Sequence, residues 1–260
     1  MRRRLFALAG PMLIWAALPL PLQAAPLEAI RQRQYLIVAV KDDLFPLGFR
    51  SRGGELAGFE IDLARALATA LFGRPDALKL VAVRNQDRLA LLQRQQVDLV
   101  IANLSVSVPR ARAVDYSYPY LTVSQAVLLK QGDTSRTLGD LDRAQLAVLA
   151  GSNSEQALHD FLPHAVLVPV ASYAQGVEAV AAAQVSGFAA DSSVLGGWAQ
   201  FHPAYRLLGT DLGTSGLAVA MPRGLASDSL RRWVNEQIAQ LLKQGWLAER
   251  ARFWGLAGRS

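Results

Sequence analysis

The chain has 260 residues, of which 52% are hydrophobic, 18% are charged and none is cysteine. This composition excludes a wholly disordered chain, and the lack of cysteine excludes a disulfide framework, a thiolate zinc site and a cysteine nucleophile. There are 27 basic and 21 acidic residues, but three of the basic ones, Arg2, Arg3 and Arg4, belong to a short segment at the start. The rest of the chain is close to neutral, so we expect no nucleic-acid partner.

The first 24 residues have the pattern of an export signal. The three arginines precede an apolar run over 5–22, and small residues follow at Ala24 and Ala25, where a signal peptidase cuts. A run of about 18 apolar residues is also near the lower limit for a membrane anchor. One glycine and three prolines interrupt it, which favours cleavage. We therefore predict a signal peptide over 1–24, cleaved near Ala24, and a periplasmic mature protein.

Beyond this segment, short β-rich runs alternate with amphipathic helical runs. Strands are predicted at 35–40, 78–83, 97–102, 124–130, 146–150, 166–170, 187–190 and 216–221. Helices are predicted at 59–72, 86–95, 152–161, 173–183, 192–200, 226–243 and 245–254. Such alternation is typical of parallel sheets with crossover helices. Because this is too many strands for one compact sheet, we predict an α/β fold of two lobes, each a mostly parallel sheet flanked by helices, with a ligand cleft between them.

The most specific motif lies between residues 97 and 120 and reads VDLVIANLSVSVPRARAVDYSYPY. It resembles the signature of polar amino-acid-binding proteins of ATP-driven importers, a periplasmic family with two α/β lobes and a hinged cleft. Three further segments agree in the same order: GFEIDLA from Gly58, VLAGS from Val148, and a terminal helix carrying Gly245-Trp246 and Phe253-Trp254-Gly255. The chain departs from the family pattern at Ser105, Ser107, Pro109 and Asn153, and none of these changes removes a charge that amino-acid binding needs.

The resemblance implies a discontinuous first lobe over 27–120 and 213–258, with the second lobe, 121–212, inserted between them. It implies that the mature protein is a soluble monomer that captures a polar L-amino acid, with glutamate, aspartate or glutamine favoured. The ligand would be delivered to the membrane permease of an ABC-type importer. We find no phosphate loop, nucleophile–base arrangement or metal-ligand spacing, so we expect no cofactor, no metal and no enzymatic activity.

An exported cyclohexadienyl dehydratase is the alternative, since such enzymes resemble the same fold and act on a prephenate-like acid. That reaction needs a general acid in the cleft, and Asp42, Asp43 and Glu60 are the carboxylates near the strand ends of the first lobe.

A free amino acid presents a carboxylate and an ammonium group, so its site needs one fixed cation and one fixed anion. Arg110 is the candidate for the carboxylate because a guanidinium offers a bidentate fork. The resemblance assigns the ammonium to Asp191, which alternatively serves as a helix N-cap. It also implies a carboxylate contact from the Ser105 hydroxyl and an ammonium contact from the backbone carbonyl of Asn103.

The remaining candidates are assigned by position. Ser152 and Asn153 open a helix of the second lobe and would supply hydroxyl and amide donors, although Ser152 with Glu155 also fits a capping box. Tyr173 aligns with a polar contact from the same lobe. For side-chain selectivity, the resemblance points to Lys41, Asn85 and Arg88. Two cations in the cleft would favour an acidic ligand, unless they form an inter-lobe salt bridge or a solvated rim.

Overall fold

The structure, a computed structural model, describes residues 27–199 and 201–256, with only the backbone for 210–212. The predicted signal peptide and the last two residues of the predicted first lobe, 257 and 258, therefore lie outside the described residues. Within the described ranges, no helix is both long and apolar enough to cross a membrane.

Helices and strands alternate along the described chain. The helices are α1 (Leu27–Arg33), α2 (Phe59–Phe72), α3 (Arg88–Gln93), α4 (Val108–Ala111), α5 (Asn153–Phe161), α6 (Tyr173–Ala181), α7 (Ser192–Ala199), α8 (Asp228–Lys243) and α9 (Trp246–Phe253). The strands are β1 (Leu36–Val40), β2 (Asp43–Leu44), β3 (Gly48–Arg50), β4 (Leu56–Ala57), β5 (Leu78–Ala82), β6 (Leu99–Ile101), β7 (Val114–Lys130), β8 (Gln145–Leu149), β9 (Val166–Val170), β10 (Gly187–Asp191) and β11 (Tyr205–Pro222).

Each predicted strand and helix lies on an observed element, but two strands are much longer than predicted. The predictions at 124–130 and 216–221 cover only the C-terminal parts of β7 and β11. The additional parts contain Pro119, Gly209 and Gly213, residues that are typical of strand ends and turns. Helix α1 and the small antiparallel sheet β2–β3–β4 were not predicted, because segments of two to seven residues carry little periodicity. Pro109 directly before Arg110 predicts the first turn of a helix, and α4 has Pro109 in its first turn.

The main sheet has the strand order β5-β1-β6-β11-β7-β10-β8-β9. The first lobe is built on β5, β1 and β6, which are mutually parallel, and the second lobe on β10, β8 and β9, which are also parallel. Between them β7 and β11 run antiparallel to each other. The predicted two-lobed α/β class is confirmed, with the difference that these two long strands connect both lobes into one hydrogen-bonded sheet. The predicted domain boundaries, 120/121 and 212/213, fall inside β7 and β11 and stay a prediction.

Helix α2 covers the first-lobe sheet and shows how apolar spacing builds the core. Phe59, Leu63 and Leu67 are fully buried, as their spacing predicts, and each contributes about 1.5–3 kcal/mol by burial. The same spacing predicts Ala70 on this face, but Ala70 is exposed and Ala68 is buried instead. Helix α2 also contacts α8 and α9, which accounts for the burial of Ala68 in place of Ala70.

The start of α2 is fixed by a close backbone approach. Gly58 has φ 129° and ψ 172°, a region that is essentially restricted to glycine. A Cβ atom on Gly58 would lie 2.3 Å from the carbonyl oxygen of Leu47, which accepts a hydrogen bond from the backbone N–H of Glu60. Glycine at position 58 therefore permits the hydrogen bond between Leu47 and Glu60, which fixes where the Glu60 side chain enters the protein interior.

We predict that Gly58→Ala destabilises the protein by at least about 3 kcal/mol, because backbone strain and steric overlap add. Gly73→Ala, at the other end of α2, is the matched control. Gly73 also has a positive φ of 76°, but no atom lies within 4 Å of its added Cβ, so the expected loss is only about 1–2 kcal/mol. Urea unfolding of both variants measures the difference. Equal losses would show that the Leu47 contact has no energetic effect.

Candidate functional site

The candidate site is a very small cavity of about 10 Å³ beyond the carboxyl ends of β6, β8 and β10. Its lining residues are Asn85, Arg88, Asn103, Ser105, Arg110, Leu149, Ser152, Asn153, Ser154, Tyr173 and Asp191. The structure thus brings together nine of the ten residues proposed from the sequence. The residue it does not bring to the cavity is Lys41.

Arg110 reaches across the cavity from the first lobe to the second. Its Nη1 donates to the carbonyl of Ser105 at 3.1 Å, and its Nη2 donates to the carbonyl of Gly151, between β8 and α5, at 2.7 Å. Burial lowers the pKa of the Arg110 guanidinium, while the nearby Tyr116 and Asp191 act in the opposite direction. One edge of the guanidinium therefore lies at the junction of the two lobes.

Asp191 is the last residue of β10 and is 7% exposed. Its Oδ2 accepts from Nδ2 of Asn103 at 2.7 Å, and its Oδ1 accepts from Nε2 of Gln125 at 2.8 Å. Burial raises the pKa of the Asp191 carboxyl, and these amide hydrogen bonds and the charge of Arg88 lower it. The carboxylate thus accepts from the side-chain amides of Asn103, which follows β6, and of Gln125 on β7, and Asp191 lines the cavity.

Asn103 connects the floor of the cavity with Asp191. Its φ of 50° is in the left-handed region, which asparagine tolerates better than most residues. The backbone N–H donates to Oε1 of Glu60 at 2.7 Å, and Nδ2 lies 3.4 Å from the Tyr173 hydroxyl. Its carbonyl, predicted to accept from an ammonium group, accepts from Nη1 of Arg88 at 2.7 Å. A carbonyl oxygen has two lone pairs, so one remains for another donor.

Arg88 is almost completely buried and is held by main-chain carbonyls. Nε donates to Asn85 at 2.9 Å, and Nη1 donates to Ala102 at 2.9 Å and to Asn103 at 2.7 Å. Nη2 has one long contact, 3.5 Å from the carbonyl of Gly151. Burial, followed by the charge of Arg110, lowers the pKa of Arg88 to about 10. It remains a cation at neutral pH.

Lys41 requires a correction to the predicted pair of cations. It is buried, but its Nζ lies 2.9 Å from Oδ1 of Asp43 and 3.3 Å from the carbonyl of Val83. Both partners belong to the first lobe, so this is neither a cavity contact nor the inter-lobe salt bridge considered as the alternative. The carboxylate of Asp43, two residues along the chain, neutralises Lys41 outside the cavity.

The other predicted residues line the cavity in different ways. Ser105 contacts Arg110 through its carbonyl, whereas its hydroxyl was expected to act. Ser152 caps α5 by accepting from the backbone N–H of Glu155 at 3.3 Å, and the Glu155 carboxylate accepts from the N–H of Gly151 at 2.9 Å. Ser152 therefore both caps α5 and lines the cavity. Burial raises the pKa of Tyr173 well above its ordinary value, which keeps its hydroxyl protonated.

Sequence reasoning missed Gln125 at this site, whereas Ser154 belongs to the segment 151–154 that the resemblance expects to supply hydroxyl and amide donors from the second lobe. Ser154 lines the cavity, and Gln125 hydrogen-bonds to Asp191 from β7. The sequence signal for Gln125 is an amide residue directly before the apolar run Ala126–Leu129. A polar residue is informative there because buried positions are usually apolar.

Comparison with known proteins places this chain in a family. Residues 36–257 match the family model described as "Bacterial extracellular solute-binding proteins, family 3". The chain belongs to this family. The resemblance found in the motif at 97–120 is thus confirmed.

Individual relatives agree with the family assignment. A glutamine-binding protein of Geobacillus stearothermophilus is 30% identical over 184 residues, 70% of each chain. An ABC transporter glutamine-binding protein of Bacillus subtilis is 24% identical over 230 residues, 88% of this chain and 84% of the relative. Among solved structures, an ancestral amino-acid-binding protein described as a precursor of cyclohexadienyl dehydratase has a TM-score of 0.80 and 29% identity, covering 88% of this chain and 98% of that one. The family and its named relatives indicate an extracytoplasmic amino-acid-binding component of an ABC transporter rather than an enzyme.

Glu60 lies behind the cavity and is fully buried. Its Oε1 accepts from the Tyr120 hydroxyl at 2.6 Å and from the N–H of Asn103 at 2.7 Å. Burial raises the pKa of the Glu60 carboxyl above its ordinary 4.5, although these hydrogen bonds oppose the effect. The ionised form is therefore less favourable in the folded protein than in the unfolded chain.

We predict that this ionisation destabilises the fold as pH rises. A carboxyl with a raised folded-state pKa stabilises the fold below its unfolded pKa, and the contribution is lost as pH rises through the folded value. The unfolding free energy of the wild type should therefore fall relative to Glu60→Gln as pH rises above about 4.5. Urea titrations of both proteins between pH 4 and pH 8 measure this. Asp98 and Asp191 also have raised pKa values, but they are common to both proteins. Parallel pH curves would contradict the prediction.

Proposed function

We propose that this protein is exported with cleavage near Ala24, captures a polar L-amino acid in the periplasm and delivers it to the membrane permease of an ABC importer. The observation that carries the proposal is the pair Arg110 and Asp191, a cation and an anion lining one small cavity between two lobes. This pair matches the two charges of a free amino acid. The named relatives, which bind glutamine, support the same class of ligand.

In this proposal the ligand replaces contacts that the protein makes with itself. The α-carboxylate would take the Arg110 nitrogens that now donate to the carbonyls of Ser105 and Gly151. The exchange is favourable because a hydrogen bond between two ions is stronger than one to a neutral carbonyl. The α-ammonium would contact Asp191, close to the amide of Asn103. Ser152, Asn153 and Tyr173 would contribute polar contacts from the second lobe.

Delivery needs a conformational difference between the bound and free protein. We propose first-lobe bounds of 27–120 and 213–258 and second-lobe bounds of 121–212, with β7 and β11 as the two hinge crossings. Because Arg110 lies in the first lobe and Asp191 in the second, one amino acid would contact both. A ligand that binds both lobes favours the closed arrangement by its differential affinity for that state.

The charges that line the cavity suggest the side chain of the ligand. The basic and acidic side chains among the described lining residues are Arg88, Arg110 and Asp191. An amino acid's own α-groups neutralise Arg110 and Asp191, which leaves Arg88. A remaining cation favours glutamate or aspartate, accommodates glutamine and repels lysine or arginine. Asn85, which binds Arg88 through its carbonyl, would add a neutral polar contact.

The dehydratase alternative lacks a suitable acid at this site. Of the described residues lining the cavity, Asp191 is the one carboxylate, and the proposal assigns it to the ammonium group. Asp42, Asp43 and Glu60 do not line the cavity. Binding without bond chemistry is therefore the function we propose.

We predict that Arg110→Ala and Asp191→Ala each weaken amino-acid binding by about 2–5 kcal/mol, because each leaves one charge of the ligand unpaired in a desolvated site. Arg112→Ala is the control for the loss of a positive charge, since Arg112 is exposed and only two residues away. Calorimetric titration with the twenty amino acids gives the affinities. Folded Arg110 and Asp191 variants that bind like the wild type would remove the proposed site.

We further predict that the wild type prefers glutamate to glutamine and that Arg88→Met reduces this preference at least about tenfold, or 1.4 kcal/mol. Arg88→Lys retains the charge and should retain most of the preference. Lys41→Met should not change it, because Lys41 is paired with Asp43 outside the cavity. Competition titrations with both ligands provide the ratios. Preference of the wild type for a basic or a large apolar amino acid would refute this selectivity.

A further inference from the structure

Gln125 lies directly opposite Asp191 in the antiparallel pairing of β7 and β10. Residues opposite each other on neighbouring strands have adjacent side chains. Gln125 is 3% exposed and Asp191 is 7% exposed, so the pair lies in the protein interior. Nε2 of Gln125 is 2.8 Å from Oδ1 of Asp191, which is a short hydrogen bond to a carboxylate.

Ser154 fixes which way the Gln125 amide points. The hydroxyl of Ser154, in the first turn of α5, donates to Oε1 of Gln125. With its oxygen engaged by that donor, the amide presents its nitrogen to Asp191. A hydrogen bond accepted at the amide oxygen also strengthens the one donated by the nitrogen, since hydrogen bonds in a chain polarise one another. The chain runs from α5 through β7 to the end of β10.

We propose that Gln125 is a positioning residue for ligand capture, which orients the Asp191 carboxylate and stabilises its ionised form through the Nε2 donor. The inference rests on the proposed function, because it assigns Asp191 to the ammonium group of the ligand. Gln125 itself acts through Asp191. Its contribution is that the anion is already charged and oriented when the amino acid arrives.

Other groups facing Asp191 are unchanged when Gln125 is replaced. They are Arg88 from α3, Arg110 from α4, Tyr173 from α6, Tyr120 from β7 and the amide of Asn103 after β6. Burial raises the pKa of the Asp191 carboxyl, and the donors of Asn103 and Gln125 oppose that rise. Binding of an ammonium group requires the ionised carboxylate, so affinity should be complete above this pKa and should fall as pH falls through it.

Gln125→Met tests the inference, because methionine has a similar shape and no amide donor. We measure the affinity for L-glutamine and L-glutamate between pH 4 and pH 8. The expected result is an upward shift of about one pH unit in the midpoint at which affinity is lost, a tenfold change in the protonation constant. Ser154→Ala should shift the midpoint in the same direction by less, and it carries the test if Gln125→Met does not fold.

Ser124→Ala is the matched control on the same strand. The Ser124 hydroxyl lies 2.6 Å from Oγ of Ser192, one position along from both members of the Gln125–Asp191 pair. Its removal should leave the midpoint where it is in the wild type. If Gln125 only fills space, methionine will preserve packing and the midpoint will not move in either test variant, which overturns the inference.

A measurement without ligand separates this inference from the proposed function. Carbon-13 NMR titration follows the Asp191 carboxyl directly, with its signal assigned from Asp191→Asn. A raised midpoint in Gln125→Met supports the Gln125–Asp191 coupling. If no amino acid binds the wild type while the NMR midpoint still shifts, the proposed function fails and the coupling stands. If amino acids bind and the NMR midpoint is unchanged, the coupling fails and the proposed function stands.

Discussion

The antiparallel pairing of β7 with β11 is the constraint on which the arrangement of the molecule depends. It extends from Tyr205 opposite Lys130 to Pro222 opposite Val114. One side of this ribbon continues into the parallel strands of the first lobe and the other into those of the second. Its register shifts between Gly209 and Thr214 and again between Leu217 and Ala220. Such irregularities bend a strand and change its twist while pairing continues on either side.

Polar groups, rather than an apolar interface alone, connect the lobes at the cavity. A line of hydrogen bonds leads from Glu60 through Asn103 to Asp191 and continues through Gln125 to Ser154. Burying so many polar atoms is costly unless their partners are present. Within this line, the hydrogen bond from Asn103 to Asp191 is the one that joins the two lobes, so separating them would remove that donor from the Asp191 carboxylate.

How well the sequence predicts a structural feature depends on how far apart in the chain the interacting residues lie. Helix α2 begins and ends where its apolar spacing indicates, because local periodicity and burial on one sheet act together. The motif around Arg110 is continuous in the sequence, so its placement beside Asn103 and Ser105 was predictable. Lys41 shows the limit of sequence reasoning. Its predicted position after a strand is correct, but both a ligand carboxylate and the Asp43 carboxylate suit its charge, and the sequence pattern does not tell which of them it contacts. Gln125 was missed because its partner is 66 residues away and becomes its neighbour only through strand pairing.

The contact between Arg110 and Gly151 has a consequence for how this site can change through mutation. The acceptor is a main-chain carbonyl, and Arg88 approaches the same atom. No side-chain replacement at residue 151 deletes that oxygen, so substitutions in the loop can only move it. Variation in the strength of this contact must therefore arise mainly on the arginine side. The two partners differ in their freedom to evolve: one contributes an atom that every amino acid carries, and the other contributes a group that only arginine supplies.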